Sequence, residues 1–212
     1  MKIKLGQKIF DILYGKIARL VYEQQQKIDY IYQKGGILPL SSEFKRRTIK
    51  EYSNFYGCKT FVETGTYLGD TTDALKDNFN EIYTIELSQE LYEKAQKRFE
   101  NNPKIHCYQG NSKDVLPTIL NKIDTNPIFW LDAHYSAGIT AKADKETPIE
   151  EELEIILNRF NKMVILIDDA REFGTVQDYP SIFTVKTYVK KKFPKAEFEL
   201  YNDIIRIIIG HN

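Results

Sequence analysis

The sequence predicts an α/β protein whose mostly parallel sheet ends in an antiparallel hairpin, and three observations predict it. From Lys59 onward, short apolar runs of strand length alternate with amphipathic stretches of helix length. The last two runs, "AEFELY" and "DIIRIII", are separated by little more than Asn202, which permits a hairpin and forbids a helical crossover. A turn carrying two glycines four residues apart, Gly65 and Gly69, joins the first apolar run to a helix.

In chain order, the first segment stands apart. Ile9, Phe10, Leu13, Ile17, Leu20 and Val21 recur at three- and four-residue steps, and Lys2, Lys4, Lys8, Lys16 and Arg19 make the other side basic. This amphipathic helix is expected to pack on the domain or a sister subunit, or to touch a membrane surface or partner. The glycine pair and proline of "QKGGILPL" mark a linker, so residues 1–40 read as a helical extension and 41–212 as the main domain. A helix over Ser42–Tyr56 leads into the strands "TFVET", "EIYTIEL", "KIHCYQG", "PIFWLDA" and "MVILIDD". Between them lie helices such as "SQELYEKAQKRFE", with Ser88 as cap, and "EEELEIILNRF". For the second, Thr147 as N-cap, Pro148 at the first helical position and Glu150 predict a capping box. The loop before it, Ala133 to Glu146, is long; Tyr135, Ser136, Lys142 and Lys145 read either as acceptor contacts on a lid or as mobile surface. A last helix runs from about Ser181 to Lys192, and its basic end "VKKKFPK" reads as a solvated terminus.

Composition excludes several classes. Thirty basic residues balance thirty acidic ones, giving no field to draw the chain to nucleic acid. Cys58 and Cys107 fit no zinc spacing and read as small buried hydrophobes in a reducing compartment. No apolar run approaches the ~18 residues of a membrane span, and no signal peptide is visible, so cytoplasmic residence is expected.

The succession "ETGTYLG", "IYTIELS", "YQGNS", "FWLDAHYS" and "ILIDDAR" resembles the Rossmann-like class I S-adenosylmethionine-dependent methyltransferases over residues 43 to 210. More narrowly, "FWLDAHYSAG…TPIEEEL…VILIDDAR" is similar to bacterial methyltransferases encoded among surface-polysaccharide genes. The acidic pair after the fifth strand resembles metal-dependent O-methyltransferases of the catechol and macrocin types. The resemblance implies a seven-stranded sheet ending in a reversed strand, and a small polar acceptor such as a sugar or nucleotide-linked sugar. A homo-oligomer is compatible with it.

The glycine turn fits that cofactor physically. Ligands of open α/β sheets lie beyond the carboxyl ends of the strands where strand order reverses. Glu63 would repel a pyrophosphate but suits a cationic amino-acid moiety, with the backbone of Thr64, Gly65, Thr66, Tyr67 and Gly69 around it. Glu86 stands about twenty residues beyond the glycines, where a carboxylate accepts from both ribose hydroxyls. Asn111 holds the place where the family carries an adenine-binding aspartate and can still accept through its carbonyl, while Ser112 is either a further contact or a helix cap.

Chemistry is assigned to the tips of the fourth and fifth strands. In one account Asp132, Asp168 and Asp169 hold a magnesium-like ion that orients and acidifies the acceptor hydroxyl. In the other no metal takes part: His134 or Asp132 is the general base and Arg171 pairs with an acid. Asp132 also belongs to the cofactor's surroundings. His106 and His211 are read as structural or exposed.

Overall fold

The computed structural model describes residues 41–124, 126–132, 147–176 and 178–211. The N-terminal extension and its linker, and the loop 133–146 with His134, lie outside the described residues.

Helix α1 spans Ser42–Tyr56. The Ser41 side chain accepts from the Phe44 amide to start it, and Gly57, at φ 68°, ends it in the left-handed conformation. Seven strands follow: β1 Thr60–Thr64, β2 Glu81–Glu86, β3 Ile105–Gln109, β4 Pro127–Leu131, β5 Met163–Ile167, β6 Glu197–Tyr201 and β7 Ile204–Ile209. The helices between them are α2 Asp70–Leu75, α3 Gln89–Phe99, α4 Ser112–Leu120, α5 Ile149–Arg159 and α6 Ile182–Lys192, with a 3-10 turn at Ala170–Glu172.

The strands form one sheet in the order β3-β2-β1-β4-β5-β7-β6. Pairings from β3 to β5 are parallel; β7 runs antiparallel to β5 and to β6. Order reverses between β1 and β4, which places the crevice beyond Thr64 and Leu131.

The sequence dictates this layering. β4 and β5 are apolar and buried at every position, as central parallel strands covered on both faces must be. β6, at the edge, exposes Glu197, Glu199 and Tyr201 and turns Leu200 inward. One face of the sheet, with Val62, Ile85, Phe129 and Ile165, packs on α4, α5 and α6 through Leu116, Ile156 and Val189. On the other face Phe61 stacks on Phe79 at 5.2 Å, and Ile49 of α1, Leu75 of α2 and Leu91 of α3 are buried. Truncating one such side chain to alanine costs about 2–5 kcal/mol. α1 lies against β4 and β5. It is pinned by Tyr52, whose ring sits 5.2 Å from the Arg206 guanidinium and whose hydroxyl accepts from it at 3.3 Å.

Three local expectations are corrected. α5 begins at Ile149 with Pro148 as cap residue, and no side chain caps it: Pro148 offers its carbonyl to the Glu152 amide at 2.9 Å, while Thr147 is buried and turned toward Tyr179. Asn111, not Ser112, caps α4, accepting from the Lys113 amide, because Ser112 already has helical geometry. Cys107 is half-buried rather than buried. Both thiols are free, and burial pushes Cys58 up to about 12 and Cys107 up to about 11, so neither is a nucleophile at neutral pH. Among the described residues no helix is long and apolar enough to cross a membrane.

Candidate active site

The crevice has two halves, the glycine turn over β1 and β2 and the acids at the ends of β4 and β5. In the first, the amides of Gly65 and Thr66 both donate to the Ile85 carbonyl, at 3.0 and 3.1 Å, so the turn is fastened to the end of β2. Gly65 at φ 92° and Gly69 at φ 81° need the left-handed region. A Cβ at Gly69 would also stand 2.9 Å from the Phe99 ring. Arg98 closes the far end of the turn, donating to the Leu68 carbonyl at 2.6 Å and to Asp70 at 2.7 Å.

Glu86 is 6% exposed, and each carboxylate oxygen accepts one backbone amide, Tyr67 at 2.8 Å and Ser88 at 2.9 Å. A carboxylate has about four acceptor positions, so two remain for a ligand's hydroxyls. Tyr67 gives its amide from a left-handed conformation, φ 50°, which the Glu86 bond holds in place.

Glu63 points under the turn. It is 2% exposed and one oxygen accepts from the hydroxyls of Thr72 and Thr84, at 2.8 and 2.7 Å, while Thr84 also meets Thr66 at 2.5 Å. Burial pushes its carboxyl up to about 7. Thr64 points to the other face, where its hydroxyl and that of Ser112 face the carboxyl of Glu152 without reaching full hydrogen-bond geometry. Glu152, on α5, is 1% exposed, and burial pushes it also up to about 7. The Asn111 carbonyl, spent on the α4 cap, has one acceptor position left.

In the second half the sheet ladder itself brings the acids together. The Asp132 amide donates to the Thr64 carbonyl at 3.1 Å, and the Asp168 amide to the Leu131 carbonyl at 3.0 Å. Asp132, Asp168 and Asp169 each offer one carboxylate oxygen, and these lie within 4.8 Å of one another. Asp169 takes a left-handed conformation, φ 52°, supported by its amide donating to Asp168 Oδ1 at 2.8 Å.

Among the described residues, two cations meet these acids. Lys45, in the first turns of α1, donates from Nζ to Asp168 Oδ2 and lies 3.6 Å from Asp169 Oδ1. Arg171 donates to that same Asp169 oxygen at 2.6 Å and to Asp203 Oδ2. Asp203 sits in the two-residue turn between β6 and β7, where Asn202 and Asp203 both have positive φ, and its other oxygen accepts the Arg171 amide at 2.8 Å. Its carbonyl accepts from Ala170 at 2.9 Å. The terminal hairpin thus clamps the segment that carries Asp169.

The electrostatics follow from burial. Loss of solvent, then repulsion from Asp132 and Asp169, raises Asp168 well above the usual carboxylate range, against the pull of Lys45. Burial opposes the Lys45 charge, but Asp168 and Asp169 outweigh it and leave the ammonium above its ordinary value. Burial likewise raises Asp203, with Arg171 pulling the other way. Beside Asp132 and Asp168 a narrow recess opens, walled by Ile167, Phe173, Tyr179 and Glu152.

The structure therefore brings together Glu63, Gly65, Thr66, Tyr67 and Glu86 on one side and Asp132, Asp168, Asp169 and Arg171 on the other. His134 lies outside the described residues. Lys45, Glu152 and Asp203 were missed by sequence reasoning. Nothing in the local sequence separates Lys45 from its neighbours Arg46 and Arg47, which stand in the same first turns of α1.

No protein-family model matches this chain, and no curated protein matches it in sequence. Solved structures match in fold. A candidate caffeoyl-CoA O-methyltransferase from Staphylococcus aureus superimposes with a TM-score of 0.56 at 16% identity, covering 92% of this chain and 99% of that one. The O-methyltransferase TomG from Streptomyces achromogenes, involved in tomaymycin synthesis and solved with S-adenosylmethionine (SAM), gives 0.55 at 18% identity, covering 82% of each chain. An O-methyltransferase from Bacillus cereus, in complex with S-adenosylhomocysteine (SAH), gives 0.55 at 16%, covering 86% of this chain and 90% of that one. At these identities the likeness is one of fold, the Rossmann-like methyltransferase fold that the strand order and terminal hairpin already describe.

Proposed function

We propose that this protein is an S-adenosylmethionine-dependent O-methyltransferase acting on a small polar acceptor. The observation that carries the reading is Glu86: a buried carboxylate at the end of β2, oriented by two backbone amides beside a glycine turn at the point of strand reversal. That arrangement suits a ribose diol. Glu63 braces the turn from beneath and adds acidic character on the side where the cofactor's ammonium and sulfonium would lie, with Thr64, Gly65, Thr66, Tyr67 and Gly69 as the backbone floor. Asn111 and Ser112 are assigned to the adenine end, and Asp132 to the border between cofactor and acceptor.

When bound, SAM would supply an electrophilic methyl group on a sulfonium that leaves as a neutral thioether with the bonding pair, so this chain's own task would be to align the acceptor oxygen with that methyl and to take the proton the acceptor gives up. Asp132 and His134 are the candidates to take that proton. Arg171, fixed by Asp203, holds Asp169 in place. A sugar or nucleotide-linked sugar as acceptor rests on the resemblance to polysaccharide-cluster enzymes. Balanced charge speaks against a nucleic-acid substrate, and the free thiols accord with a cytoplasmic location.

A second reading has its own observation. The three carboxylate oxygens within 4.8 Å are the right donor type for a hard divalent cation, and Asp132, Asp168 and Asp169 would hold it. Such an ion would orient and acidify the acceptor hydroxyl.

Calorimetric titration of the purified protein with SAM and with SAH, with and without magnesium and a chelator, tests the function. Saturable binding of both is expected. Binding of neither under any condition would remove the cofactor assignment.

A further inference from the structure

We propose that Lys45 is a built-in competitor for the cation position among Asp132, Asp168 and Asp169, so that pairing with Lys45 and loading of a divalent ion are alternatives. For its catalytic meaning this rests on the methyltransferase reading above; its ion chemistry stands apart from it.

The donors are already engaged. Asp168 spends one oxygen on the Asp169 amide and the other on Lys45, and Asp169 Oδ1 is shared by Lys45 and Arg171. A magnesium-like ion sits ~2.1 Å from its oxygens. An ion that took Asp168 Oδ2 and Asp169 Oδ1, the two oxygens facing Lys45, would compete with the ammonium for the same place, and two cations so close repel strongly in a site of low solvent access. Arg171 cannot yield instead, since Asp203 holds it by both side chain and backbone.

Lys45 is placed for this purpose by tertiary structure. Its side chain is 18% exposed, and it lies in the first turns of α1, whose dipole disfavours a positive charge. Only the acids across the sheet edge repay that placement. The anchoring of α1 through Tyr52 and Arg206 sets the helix at the height from which the lysine stem reaches them.

Manganese, an oxygen-seeking paramagnetic stand-in for magnesium, provides a direct readout. The full chain and its Lys45→Met, Lys45→Gln and Lys45→Arg variants are titrated with Mn²⁺, following the free-ion electron paramagnetic resonance signal, with SAH affinity measured on the same samples. Removing the charge with Met or Gln should tighten Mn²⁺ binding at least tenfold over wild type. Lys45→Arg should behave as wild type, and adding Asp168→Asn to Lys45→Met should abolish the gain. Met and Gln variants that retain SAH binding yet hold Mn²⁺ no more tightly than wild type would overturn the proposal, as would an Arg variant that gains as much as Met. If wild type and variants all fail to bind SAH, the cofactor reading falls while the manganese comparison, made on samples whose circular dichroism matches wild type, still decides this one.

Discussion

The two halves of the crevice are built by opposite means. The glycine turn is a backbone device: amides of Gly65, Thr66 and Tyr67 fasten to Ile85 and Glu86, partners within about twenty positions along the chain. The acid half is a side-chain device, in which Lys45 meets Asp168 across 123 positions and Arg171 meets Asp203 across 32. The first is fixed mainly by backbone amides that close on a backbone carbonyl and on the Glu86 carboxylate. The second balances buried charges, so it responds to loss of any one partner and to any ion that enters.

Breaking the acid half should therefore cost the most. Asp203→Ala strips Arg171 of its best partner and frees the segment behind Asp169; a stability loss of about 3 kcal/mol is expected, the cost of breaking a buried pair. Thermal unfolding would show it as a midpoint lowered by roughly 6–12 °C. A midpoint within 2 °C of wild type, on the order of the smallest shift that such a scale resolves, would mean that the hairpin does not clamp the site.

The turn is sharpened by Glu86→Ala. The substitution removes the acceptor for a ribose diol, worth roughly 1.5–3 kcal/mol per charged hydrogen bond, so SAM and SAH affinity should fall roughly 10- to 150-fold. Glu86→Gln keeps an acceptor for one backbone amide but turns an NH2 toward the other, so it should cost about 1–3 kcal/mol of stability as well as much of that affinity. Unchanged affinity in the alanine variant would be incompatible with the ribose assignment.

The effect smallest per residue probes the floor beneath both halves. Glu63 and Glu152 have their folded values raised from 4.5 to about 7, so the native state binds more protons than the unfolded chain between those values. Stability is then fully present below pH 4.5 as far as these two groups are concerned and declines as pH rises toward 7. Between pH 5.5 and pH 8 each should cost roughly 1–2 kcal/mol, and Glu63→Gln with Glu152→Gln should flatten the profile. A double variant whose unfolding midpoint still falls by the wild-type amount over that range would place the titration elsewhere.

Legibility followed the same divide. Ser42–Tyr56, Thr60–Thr64 and the terminal hairpin were readable because apolar periodicity and turn residues act within a few positions. Gly65, Gly69 and Glu86 were readable because a strand–turn–helix fixes where its residues go. The cap of α5 was misread by one position, since burial of Thr147 beside Tyr179 outweighed its capping preference. Glu63 reads as a ligand contact in sequence and stands under the turn in space, because strand alternation sends it to the face covered by Thr72 and Thr84.

By itself, the sequence determined the order of elements, the parallel sheet with its reversed end, the bent turn and the presence of acids just after the fourth and fifth strands. Those properties follow from hydrogen bonding and apolar burial over short spans of chain. The tertiary structure alone decided what meets the acids: Lys45 from the helix before the first strand, Arg171 held by Asp203 from the last hairpin, and Glu152 beneath Ser112 and Thr64. A buried charge must be neutralised by whatever the fold brings near it, and nothing in local sequence specifies which distant residue that is.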